Sequence, residues 1–134
     1  MKGAYLLLME LSAEKSIQIG RKRLFVFPPG WYIYVGSAMN GIEHRVRRHL
    51  SSEKKIHWHI DYFLQHAQIQ EAYYKESKQK EECDIARIFI RSFRGFSGFG
   101  CTDCSCESHL FHGSKEELLE HIDRLGFFRF SDDM

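Results

Sequence analysis

A change of hydrophobic period near Gly36 constrains this chain more than any other feature. Before it, Trp31-Tyr32-Ile33-Tyr34-Val35 is an aromatic and β-branched run launched by the strong turn Pro28-Pro29-Gly30, and it reads as a strand. After it, Ile42, Val46 and Leu50 fall at i, i+4 and i+8, the apolar stripe of an amphipathic helix. A chain that changes from a strand period to a helix period within a few residues is neither all-α nor all-β.

The rest of the sequence extends this pattern. Residues 4–11 read as a buried strand, and residues 16–19 and 24–27 flank a Gly20-Arg21-Lys22 breaker as a hairpin. A second helix is expected over 57–67, with Ile60, Phe63, Leu64 and Ala67 inward, followed by a strand over 69–74. A third helix follows a polar bridge at 78–82 and buries Ile85, Ala86, Phe89 and Ile90. Residues 96–111 are rich in glycine and cysteine and read as irregular. Ser114 with Glu117 forms a capping box for a last helix over 114–125, stopped by Gly126, and residues 127–130 read as an edge strand. Strands, then helices, then strand and helix predict an α+β sandwich. With 134 residues and no dividing linker or repeat, one domain over 1–134 is expected.

A hydrophobic content of 43% argues for a globular chain over a disordered one. No apolar run reaches the length of a membrane span and no leader pattern opens the sequence, so the expected location is cytoplasmic, without membrane contact. The net charge of +1 conceals an uneven distribution. Between residues 21 and 59, eight Lys or Arg face two acids; between 76 and 134, eight face twelve. A basic front on a nearly neutral chain suits a polyanion better than a general solubility charge.

The corner between the Trp31 strand and the Ile42 helix carries the chemistry. Arg45 and His49 are four residues apart and share one helical face. Gly36 permits close backbone approach to a ligand, and a phosphate at this corner could meet helix-start amides, the Arg45 guanidinium and the hydroxyls of Tyr5 and Tyr34. Arginine suits that task because its planar fork grips phosphate oxygens and keeps its charge. The competing reading is an aromatic sheet beside a solvated basic helix.

The order of these residues resembles the GIY-YIG nuclease superfamily. Its two motifs are matched by Gly3-Ala4-Tyr5 and Tyr34-Val35-Gly36, its helical arginine by Arg45, and the histidine that some members place four residues later by His49. Within the superfamily the chain is most similar to the Uri-type endonuclease branch. The shared pieces are Tyr34 to Ala38, Arg48-His49-Leu50, His57 to Tyr62 and Gly98 to Cys104. The resemblance implies a small, three-layer-like domain with a short mixed or antiparallel sheet between helices, the 16–27 hairpin being an addition. It implies hydrolysis of a DNA phosphodiester with Mg²⁺ or Mn²⁺ held by Glu82 at the start of a later helix. Tyr5 or Tyr34 would act as base with His49 assisting, or His49, whose ordinary pKa is about 6.5, would be the base itself, and Arg45 would neutralise the phosphate. Many relatives place an asparagine after the glutamate; here the only asparagine is Asn40, and Asp103 or Ser108 are the candidates for that part.

Ser37, Arg47, Arg48, Lys54, Lys55, His57, Trp58 and His59 are the candidates for nucleic-acid contact. DNA is the expected partner, with RNA left open and specificity assigned to the domain, a homodimer or a partner protein. Two other constellations bear on metals. Cys101, Cys104, Cys106 and His109 have ligand types suited to structural Zn²⁺, against a reading as a reduced cysteine loop. His57, His59 and Asp61 look like a metal triplet, but on a helix His59 points away from the other two. The rival functions are an inactive nucleic-acid-binding module of the same fold and a zinc-stabilised interaction domain.

Overall fold

The computed structural model describes residues 1–21, 23–101 and 106–131. In chain order its elements are β1 (Gly3–Leu11), β2 (Lys15–Ile19), β3 (Arg23–Phe27), β4 (Gly30–Ala38), α1 (Ile42–Leu50), α2 (His59–Leu64), β5 (Gln68–Glu76), α3 (Glu82–Ile90), β6 (Arg94–Gly95), β7 (Leu110–Gly113), α4 (Lys115–Arg124) and β8 (Phe128–Arg129). Six strands form one sheet in the order β6-β7-β4-β1-β5-β8, and β2 pairs with β3 in a separate hairpin. Every pairing is antiparallel, which decides between the two expected sheet types.

The strand at the centre explains the layering. Successive side chains of a strand point to opposite faces, and β1 is buried on both. Tyr5, Leu7, Met9 and Leu11 enter one core with Phe27 of the hairpin, Ile42 and Val46 of α1, and Ile60 and Phe63 of α2. Ala4, Leu6 and Leu8 enter a second core with Ile85, Ala86 and Phe89 of α3 and Leu118 and Ile122 of α4. The fold is therefore α+β, with a helix pair and the hairpin on one face of the sheet and a helix pair on the other. Burial on both faces is why residues 4–9 read as a continuous apolar run instead of alternating.

Some expectations change in detail. The strand begun at Trp31 continues past Gly36 to Ala38 because Tyr5, Ala4 and Gly3 of β1 pair with Gly36, Ser37 and Ala38. The period changes at Gly41, not at Gly36. In α1 the buried positions are Ile42, Val46 and His49, and Leu50 is 47% exposed. The i, i+4, i+7 face wins because Tyr5, lying over the helix, offers His49 a partner that leucine could not use. The 57–67 helix is confined to His59–Leu64, since Asp61 turns back to accept from the amides of His57 and Trp58, both at 2.9 Å, and fixes the start. The stretch read as irregular ends in β7, whose four residues pair with β4 and β6. A strand that short carries too little alternation to be seen in sequence.

The last helix starts as its capping box predicts: Ser114 Oγ accepts from the Glu117 amide at 3.2 Å. It ends at Gly126, whose φ of +77° favours glycine. The edge strand at the C-terminal side is β8, on β5. Among the described residues no helix is long and apolar enough to cross a membrane.

Candidate active site

The register of β1 on β4 sets the site. Tyr5 lies opposite Gly36, and a methyl group on Gly36 would run into the Tyr5 ring. The glycine therefore makes room for a phenol of its own fold, where close approach of a ligand was expected. The Tyr5 ring, 1% exposed, crosses the neighbouring strand and delivers its hydroxyl to α1. There it meets His49 Nε2 at 2.7 Å. The Arg45 guanidinium lies against the same hydroxyl. Because a guanidinium only donates, it occupies one oxygen lone pair and cannot accept the Tyr5 proton, which goes to His49. Nε2 then accepts and the imidazole proton sits on Nδ1, which has no hydrogen-bond partner among the described residues.

Burial dominates the electrostatics of this pair. It drives Tyr5 well above its ordinary range, with Arg45 opposing, and Tyr34 likewise. It pushes the His49 imidazole from its ordinary 6.5 down to about 3, with the Asp61 carboxylate opposing. The resting pair is uncharged: a protonated phenol on a neutral imidazole. This has a consequence for stability. An unfolded chain binds a proton on this histidine below about pH 6.5, whereas the folded chain resists it until about 3. His49 therefore costs the fold nothing above that upper value, and a stability of up to about 1.4 kcal/mol per pH unit is lost as pH falls through the window. Between pH 6.5 and 5, His49→Gln should lose less stability than wild type by about 2 kcal/mol in denaturant titrations. Parallel pH profiles for the two proteins would contradict the buried, neutral imidazole.

A cleft of about 630 Å³ opens beside this pair. Tyr5, Tyr34, Ser37, Arg45, His57, Trp58, His59 and Glu82 all line it, so one cavity collects four of the five expected catalytic residues and half of the expected nucleic-acid contacts. Arg45, on the first turn of α1, reaches back over the strand end and donates to the Ser37 carbonyl at 3.2 Å. Its guanidinium carbon lies 4.4 Å from the centre of the Trp58 ring, and that of Arg48 lies at 4.3 Å. Trp58 thus holds the arginines by cation–π attraction. His59 Nδ1 accepts from the Gly100 amide at 2.9 Å, which ties α2 to the loop at Gly100, and burial lowers its pKa.

Glu82 sits in the first turn of α3, as expected. Its Oε2 is buried and has no hydrogen-bond partner among the described residues. An orphaned carboxylate oxygen on a cleft wall is an expensive arrangement unless a cation shares it. One carboxylate with several waters is a common way to hold Mg²⁺, so the residues present fit that ion or Mn²⁺.

Other expected residues lie elsewhere. His49 is behind Tyr5 and does not line the cleft; it faces a second cavity of about 580 Å³ with Lys54 and Asp61. Arg48 grips the fully buried Asp61 with two bonds at 3.0 Å and gives a third to the Lys55 carbonyl. Burial would raise the Asp61 carboxyl, but Arg48 and the Trp58 and His57 amides outweigh it and hold it below its usual range. The same engagement rules out Asp61 as a metal ligand with His57 and His59. Lys54 Nζ donates to the His49 and Ser51 carbonyls, both at 2.7 Å, and so closes the C-terminal end of α1. Arg48 and Lys54 are thus committed to the fold, and Arg47 and Lys55 are exposed outside the cleft wall.

The expected zinc set is redrawn. Cys101 Sγ donates to the Phe99 carbonyl at 3.3 Å, and Cys104 lies outside the described residues, as does Asp103. Cys106 and His109 instead gather with Cys83, their ligand atoms all within 4.8 Å of one another. Ser108 is buried and spends its hydroxyl on the Phe96 amide and on the Leu110 amide and carbonyl, so it does not stand in for an asparagine. Asn40 and Lys80 also line the cleft, beyond the residues expected there from sequence. Lys80 stands two residues before Glu82, and that proximity was the available signal.

No curated protein and no solved structure matches this chain. A family model does, described as a domain of unknown function, and its match runs from residue 4 to residue 126. That span includes Tyr5, Tyr34, Arg45, Glu82 and the cysteine cluster, and the chain belongs to the DUF123 family.

Proposed function

We propose that this chain is a metal-dependent DNA endonuclease of the GIY-YIG type, similar to the Uri branch. The observation that carries the reading is the gathering of Tyr5, Tyr34, Arg45 and Glu82 on one cleft, with a buried carboxylate oxygen left without a partner.

Hydrolysis needs a base for water, positive charge for the phosphate and help for the leaving oxygen. The Tyr5–His49 pair supplies the base. Tyr5 takes a proton from the attacking water as its own proton passes along the 2.7 Å bond to His49 Nε2. No free phenolate need form, which matters because burial makes one costly. His49, kept out of the cleft, cannot reach the water itself and acts through Tyr5. As the water oxygen bonds to phosphorus and the P–O bond to the leaving group breaks, Arg45 neutralises a non-bridging oxygen. A divalent cation on Glu82 would stabilise the leaving oxygen, which then gains a proton from solvent. Tyr34, His57 and Lys80 line the path a strand would follow.

The test is cleavage of labelled duplex, branched and single-stranded DNA, and of RNA, by wild type and Tyr5→Phe with Mg²⁺ or Mn²⁺. Cation-dependent cutting of DNA that collapses in Tyr5→Phe supports the reading. Cutting retained in Tyr5→Phe but lost in His49→Ala would move the base to the histidine. Salt-sensitive binding without cutting by wild type would replace the enzyme with a nucleic-acid-binding module.

A further inference from the structure

We propose that Cys83, Cys106 and His109 form a zinc site that ties the catalytic-wall helix α3 to the segment entering β7. The three ligand atoms lie within 4.8 Å of one another and come from separate places in the chain. Cys83 is on the first turn of α3, next to Glu82, while Cys106 and His109 sit on the return towards β7.

The histidine is oriented for the task. Its amide donates to the Phe99 carbonyl at 3.0 Å and its carbonyl accepts from the Val35 amide at 2.9 Å. Its Nδ1 lies 3.1 Å from the Val35 carbonyl oxygen. A carbonyl can only accept, so Nδ1 carries the proton and Nε2 keeps its lone pair. Ligating histidines commonly have their second nitrogen fixed by such an outer hydrogen bond. The Cys106 thiol already points at the α3 start, 3.9 Å from the Cys83 carbonyl.

The donor set selects the ion. Two thiolates and an imidazole favour zinc over magnesium, whereas the neighbouring Glu82 oxygen has the opposite preference. With Zn–S at about 2.3 Å and Zn–N at about 2.0 Å, a tetrahedral ion holds its ligand atoms roughly 3.5–3.8 Å apart. The observed cluster needs to contract by only about 1 Å to reach that spacing. Two cations of different character would then flank the start of α3, the soft one fixing the backbone that presents Glu82. Zinc binding stands whether or not the cleft cuts DNA.

The test is metal content by mass spectrometry after purification without chelator and reloading with Zn²⁺. Wild type and Cys101→Ser should each hold about one zinc per chain, and Cys83→Ser and Cys106→Ser less than about a tenth of that. Replacing zinc with Co²⁺ should give a thiolate-to-cobalt charge-transfer band in wild type that Cys83→Ser lacks. Should the serine variants fail to fold, alkylation of the intact protein still decides: Zn²⁺ should protect Cys83 and Cys106 from iodoacetamide. Absence of zinc after reloading, unprotected Cys83, or a Cys83–Cys106 disulfide in freshly purified protein would overturn the site. Zinc lost with Cys101→Ser but kept with Cys83→Ser would overturn it equally.

Discussion

Replacing Arg45 by alanine is expected to slow phosphodiester cleavage by about 10²–10³-fold, the range found when one preorganised donor to a developing anion is removed. The size follows from position. Arg45 is the cation that α1 carries into the cleft wall; on the same helix Arg48 is tied to Asp61 and Arg47 lies outside the cavity. Three contacts hold the guanidinium before any substrate arrives: the Ser37 carbonyl, the Trp58 ring and the Tyr5 hydroxyl. That preorganisation is what makes such a group valuable in a transition state. Arg45→Lys keeps the charge and loses the fork, and should recover only part of the rate. Both variants should keep a folded, cooperative melt, because the lost cation–π contact is worth about 1 kcal/mol. A rate within a few-fold of wild type in folded Arg45→Ala would remove the guanidinium from the mechanism.

Arg48→Ala should act on the fold, destabilising it by about 3 kcal/mol in denaturant titrations at neutral pH. Its partner Asp61 is 0% exposed, and among the described residues alanine would leave that carboxylate with only the His57 and Trp58 amides. Breaking a buried pair from one side costs about 3–5 kcal/mol because the remaining charge is stranded. The lower end applies because Arg48 itself is 23% exposed and water can reach the vacated space. Asp61 is held below its usual carboxylate range, so the stability it contributes is present above the unfolded value near 3.8 and is lost as pH falls further. Its window opens only near the bottom of that of His49. A loss below 1 kcal/mol on Arg48→Ala would mean that Asp61 finds water without difficulty.

Much of this could be read from sequence, and the misses share a cause. Tyr5, Tyr34 and Arg45 stand out in sequence at the strand-to-helix corner and Glu82 only through the resemblance; what the structure adds is that all four line one cleft. The long strands and the four helices are legible from their apolar runs and repeats, whereas β6 and β7 are too short to carry either. Charge alone places Arg48 and Lys54 on a nucleic-acid face and does not reveal whether a cation is paired; only folding brings Asp61 and the His49 carbonyl to them. Leu50 outranked His49 as an inward residue because periodicity weighs apolarity and ignores a phenol arriving from β1. Cys83 stands far in sequence from the other cysteines, and Cys106 and His109 reach it only once α3 packs beside the segment leading to β7.

One rate comparison carries the central claim: cutting of labelled DNA by wild type and by Glu82→Gln, with Mg²⁺ and after its removal. Wild type should cut only with the cation, and folded Glu82→Gln, which keeps the shape but loses the charge of the buried oxygen, should fall to background. Cutting that persists in Glu82→Gln or without any divalent cation would contradict a single-carboxylate metal nuclease in this cleft.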